Sequence, residues 1–197
     1  MILNIENGSK VERAMIAANG EKFTTILLRH RDPTISAATK KTYHAFLKKA
    51  SRRSLPSLEG EQTNPIEADD CYRGAVEWLL EATRSERRFP LVRAENISYG
   101  FRRNLLGLKP PAVLLIALSV VANVFFCVRN FQIDPTRVWA GSLVTIALVA
   151  VGLVWLLVIK MAFVEDAGRS YALRLLAQCD ALQSKTTPKA EKTSKSG

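Results

Sequence analysis

The chain has 197 residues, with 28 Lys and Arg against 18 Asp and Glu and a formal net charge of +10. Its three cysteines, Cys71, Cys127 and Cys179, lie far apart, and its two histidines, His30 and His44, form no ligand pair, so neither a disulfide framework nor a metal site is expected. Residues 1–109 hold 19 of the basic and 13 of the acidic side chains; such a basic surface favours anionic lipid over nucleic acid as its partner.

In chain order, Ser9 and Glu12 have the spacing of a capping box. Val11, Ala14, Met15 and Ala18 recur at helical intervals and Asn19-Gly20 supplies a stop, which predicts a short helix over Lys10 to Ala18. Reading Asn7-Gly8 and Asn19-Gly20 as hairpin turns is the rival. Phe23 to Leu28 fits a strand or a helical turn, and Asp32-Pro33 breaks the chain. From Ile35 to Arg53, Tyr43, Phe46, Leu47 and Ala50 form one helix face, while Lys40, Lys41, Lys48, Lys49, Arg52 and Arg53 crowd the others. Those cations suit either a solvated face or a contact to phosphate. Leu55 to Pro65 reads as a linker. A helix follows from Ala68 to Thr83, with Asp69 and Asp70 at its positive end and an apolar face of Tyr72, Val76, Leu79, Leu80 and Thr83. So small a set buries little area alone. It is expected to lean on the membrane-proximal helices or on another subunit.

Pro110 to Val128 and Val138 to Ile159 contain no Asp, Glu, Lys, Arg or His. Each reaches the roughly 20 residues that cross about 30 Å of hydrocarbon. The fold expected is mainly α: a membrane helical hairpin, with an N-terminal helical cytoplasmic region and a cytoplasmic helix after the second span. The divisions are 1–95 for the N-terminal region, 96–109 for an interfacial helix, 110–128 and 138–160 for the spans, and 129–137 for the connector; 161–183 forms the cytoplasmic helix and 184–197 a disordered basic tail. The connector carries two cations and residues 160–197 seven, which puts both termini in the cytoplasm. Met1 to Glu12 has no cationic stretch before an apolar core, so the first span is expected to act as its own insertion signal.

Ile97, Phe101, Leu105 and Leu108 share a face, as an amphipathic helix in the cytoplasmic interface requires; an extension of the cytoplasmic domain fits the same pattern. Arg102, Arg103 and Lys109 are then expected at the membrane surface. Within the bilayer, Ser119 and Asn123 on the first span and Gly141, Thr145 and Gly152 on the second suit close helix packing or a polar path in an oligomer. Beyond Lys160, Val164, Ala167, Tyr171, Leu175, Cys179 and Leu182 recur at steps of three and four. The second span is therefore expected to continue as one helix to about Gln183, with Gly168 as a hinge. Tyr171, Leu175, Cys179 and Leu182 must be covered by the N-terminal region or by another copy, and an oligomer contact is expected there.

No Gly-rich phosphate loop and no Ser/His/Asp set occurs, so an enzyme is not expected, and no catalytic, cofactor or metal residues are assigned. The order of helix, span, turn, span and helix, with Tyr99-Gly100-Phe101-Arg102-Arg103-Asn104-Leu105-Leu106-Gly107-Leu108-Lys109-Pro110 and Tyr171-Ala172-Leu173-Arg174-Leu175-Leu176, resembles the SLATT-type two-transmembrane proteins of bacterial conflict systems over about residues 70–185. The resemblance implies a non-enzymatic multi-pass effector of the bacterial inner membrane, in antiviral defence. It would form a homo-oligomer and perturb the envelope when a cytoplasmic sensor or signalling protein acts on it. The competing readings are a membrane anchor or scaffold that docks a cytoplasmic partner, and a tethered nucleic-acid module using the 40–53 helix.

Overall fold

The structure, a computed structural model, describes residues 2–85, 87–131 and 133–186. Among the described residues there are ten α-helices and no strand. The chain divides into two compact units, one of Met1–Ala18 and Ile97–Ala167, the other of Asn19–Asn96 and Gly168–Gly197.

In the first unit, α1 (Ile2–Asn19) begins well before the expected start at Lys10. It runs through Asn7-Gly8, so Ser9 lies inside the helix rather than capping it. A mid-helix glycine costs about 1 kcal/mol relative to alanine, and here it permits close approach. A Cβ on Gly8 would strike Asn104 Oδ1, and one on Gly107 would come within 3.0 Å of the Asn7 backbone. Two glycines thus let α1 cross α6 (Pro90–Gly107) almost backbone to backbone. After Leu108 comes α7 (Lys109–Asn130), with prolines in its first turn, where missing N–H groups cost nothing. It packs against α8 (Pro135–Leu157). Asp134 caps α8 by accepting from Thr136 N at 3.1 Å, and the Thr136 hydroxyl is the main reason its carboxyl titrates below the usual range.

The expected long helix from Val138 to Gln183 is broken twice. α8 ends at Leu157, α9 spans Met161–Leu176, and α10 spans Gln178–Thr186. Gly168 lies within α9 and breaks nothing. α10 also carries residues 184–186, which the basic tail was expected to include; the rest of that tail lies outside the described residues.

In the second unit, Phe23 to Ile26 form the short helix α2, not a strand. α3 (Ala37–Ser51) starts at Ser36, whose Oγ accepts from Thr39 N at 3.2 Å. It stops at Arg52, in the left-handed region with φ 56°. The expected linker contains α4 (Leu58–Thr63), capped by Ser57. α5 (Pro65–Ala82) follows from the Asn64 cap, with proline in its first turn. α2, α3 and α4 all pack on α5, and α10 packs on α3. Leu27, Leu28, Leu47, Tyr72, Leu79, Leu175, Leu176 and Cys179 are fully buried. The C-terminal segment therefore completes a core that the N-terminal helices could not close alone.

Candidate functional site: an apolar helix pair and two polar clusters

α7 has no buried residue. Leu115 and Phe125 on α7 are 64% and 62% exposed, and Leu143 on α8 is 67% exposed. Only the seam between the helices is protected. There Asn123 Nδ2 donates to Gly141 O at 2.7 Å and to Thr145 Oγ1 at 2.8 Å, while the Thr145 hydroxyl returns a bond to Gly141 O at 3.1 Å. Gly141 is needed where it stands, because a Cβ would collide with Cys127 Sγ; a Cβ on Gly152 would meet Ile116 at 3.4 Å. Asn123, Gly141 and Thr145 thus form one hydrogen-bonded contact, with Gly152 further along the seam. Ser119 is apart from it. Its side chain is exposed and its hydroxyl donates to Leu115 O of its own helix at 2.8 Å.

The three cations expected at the membrane surface all have protein partners. Lys109 Nζ donates to Ile159 O at 2.7 Å and Leu156 O at 3.2 Å. Arg102 donates to Phe163 O at 3.3 Å and lies 4.5 Å from the centre of the Phe163 ring. Arg103 pairs with Glu12 and lies over Tyr99. Those partners come from α1, from the end of α8 and from the segment that leads into α9 and its first turn.

The second polar cluster lies in the second unit and centres on Glu61. This carboxylate is only 5% exposed. It accepts from His30 N at 2.7 Å and from the Tyr72 hydroxyl at 2.8 Å. His30 and His44 meet edge to face at 4.7 Å, and His44 Nε2 lies 2.8 Å from Leu28 O. Lys40, also buried, donates to Arg29 O at 2.6 Å and Asp32 O at 2.5 Å. Arg29 makes a two-pronged contact to Asp69, at 2.8 and 2.7 Å. Burial drives the shifts here: the Tyr72 hydroxyl is raised, Lys40 is lowered, and His44 is held below the ordinary imidazole value. Leu28 O and Glu61 pull His44 upward, while His30 and Lys40 add to the depression. Every one of these polar groups is turned onto protein partners, as a buried cluster that holds a fold together requires. No group of three metal-binding side chains occurs among the described residues.

A pH dependence follows from His44. Its folded-state pKa is depressed, so its contribution to stability is complete above the ordinary 6.5. That contribution is lost as pH falls below 6.5 and through the folded value. The melting temperature of the full chain should fall between pH 7 and pH 5, and His44→Leu should flatten that slope. Equal slopes for both proteins would remove His44 as the cause.

Leu175 and Cys179, expected at an oligomer contact, are wholly covered by their own chain. Tyr171 and Leu182 are half-buried. α10 is seated on α3, and the Tyr43 hydroxyl reaches Asp180 at 3.4 Å. Burial pushes the Cys179 thiol up to about 12, which leaves little reactive thiolate at neutral pH. Tyr171 also lines an open cleft of about 220 Å³ with Thr83, Arg84, Phe89, Arg93 and Asn96. No protein-family model, curated protein or solved structure matches the chain.

Proposed function

We propose that α7 and α8 cross a lipid bilayer as a hairpin and tether the helices of the second unit to its cytoplasmic face. The chain then serves as a non-enzymatic membrane anchor or scaffold for a cytoplasmic partner. One observation carries this reading: two helices of crossing length, charged only near their ends, leave most of their large apolar side chains exposed. In water a continuous apolar surface of that extent is a strong liability, whereas in hydrocarbon it is the required surface. Trp139, 75% exposed at the connector end of α8, suits the interfacial aromatic belt. The connector carries only two of the chain's 28 cations, which supports placing both termini inside.

The test is topological. The protein should resist alkaline extraction from membranes. In a chain whose Cys127 is replaced, Ile133→Cys should react with an impermeant maleimide in intact cells, and Ser57→Cys only after permeabilisation. Release at alkaline pH would end the membrane reading, and the opposite labelling pattern would invert the topology.

A second reading, from the resemblance, is an oligomerising effector of a bacterial defence module in the inner membrane. Ser119 favours it, as a hydroxyl on the outward face of α7 that another copy would cover. Depolarisation of expressing cells, abolished by Ser119→Leu, separates this reading from a passive anchor.

A further inference from the structure

The sequence pattern predicts one helix from Val138 to Gln183, yet the helix stops at Leu157 and restarts at Met161. Sharp breaks in helices have identifiable causes, usually proline, glycine or an inserted group. The segment Val158-Ile159-Lys160-Met161-Ala162-Phe163 contains neither proline nor glycine. The inserted group is the Lys109 side chain. In an unbroken helix the carbonyls of Leu156 and Ile159 would accept from the amides four residues on, those of Lys160 and Phe163. Here Lys109 Nζ occupies both of those carbonyls. The Phe163 amide turns instead to Lys160 O, at 3.1 Å. Arg102 secures the far side of the break through Phe163 O and the Phe163 ring.

We propose that Lys109 and Arg102 form a latch that holds the α8–α9 segment bent, and that releasing it lets the two helices join as one. The device has two arrangements of similar local propensity, because the helical pattern of Val164, Ala167 and the residues beyond continues in phase across the break. Lys109 decides between them by supplying, from the start of α7, the charged donor that the turn lacks. Anything that competes for the Lys109 ammonium or the Arg102 guanidinium would then alter how the second apolar helix leads into α9. The latch does not depend on the helix pair crossing a bilayer.

The experiment is hydrogen exchange on the full-length protein in detergent, read on peptides covering residues 158–163. Lys109→Met should slow exchange of the Lys160 and Phe163 amides at least tenfold, since both regain intrahelical acceptors. Lys109→Arg keeps a donor in place and should match the wild type. Unchanged or faster exchange in Lys109→Met, with α3 and α5 still protected, would overturn the proposal. If Lys109→Met does not fold, Lys109→Ala, which also removes the donor, can be read by spin labels on cysteines at Val149 and Asp166, with the native cysteines replaced. The separation should move to about 26 Å, the rise of 17 residues in an unbroken helix. No movement from the wild-type distance would equally refute the latch.

Discussion

Leu175→Glu is expected to unfold the second unit, not to dissociate an assembly. Leu175 has no exposed surface and lies among Ala172, Leu176 and Cys179, all fully buried. Truncating such a leucine to alanine costs about 2–5 kcal/mol. The glutamate adds the penalty of placing a carboxyl where no water reaches, which it meets by staying protonated or by forcing the site open. Together these approach the whole stability of a small domain, about 5–15 kcal/mol. Thermal melting of the full chain in detergent should show the cooperative transition lost, while Leu175→Met should remain within about 1.5 kcal/mol of the wild type. A Leu175→Glu protein that melted normally but changed its assembly size would restore the stripe as a seam between copies.

The stripe itself is legible in the sequence, because a helical period persists whatever surface covers it. What covers it is not legible. The same period would serve a second copy or the chain's own helices, and only the fold shows α10 seated on α3. The two apolar helices are legible for a stronger reason: runs free of charge and about 20 residues long are rare, and their length alone defines α7 and α8. Lys40 had a signal that its charge obscured. It stands three and seven residues before Tyr43 and Leu47, on one helical face, and all three are buried. Its ammonium is satisfied by the carbonyls of Arg29 and Asp32, which lie outside α3.

Other features leave no local trace. Glu61 sits in a stretch whose composition reads as a linker, and its partners His30 and Tyr72 lie 31 and 11 residues away. The break after Leu157 is set by Lys109, at the start of α7 and 50 residues before Ile159, so no inspection of residues 155–163 would find it. Gly8 reads as a turn residue beside Asn7, yet it serves close helix crossing, because the residue it faces, Asn104, is about a hundred residues away. In each case the determining contact is long-range, and local propensity gives way to it.

Asp69→Ala should destabilise the second unit by about 3–5 kcal/mol, the usual cost of stranding one partner of a buried ion pair. The side chains of Arg29 and Asp69 are only 10% and 18% exposed, and two parallel hydrogen bonds join them. The carboxylate raises the guanidinium's pKa against the opposing effect of burial. Removing Asp69 therefore leaves a charge that cannot neutralise itself at any ordinary pH, at the point where Arg29 O also receives the Lys40 ammonium. Arg29→Met with Asp69→Leu removes both charges together and should cost less than Asp69→Ala alone, since no unpaired ion remains. Chemical denaturation of the full chain, run as a double-mutant cycle, measures the coupling directly. A loss below about 1 kcal/mol for Asp69→Ala would place the pair with solvated surface bridges. The buried cluster would then owe its hold on α2 and α5 to Glu61 and Tyr72 instead.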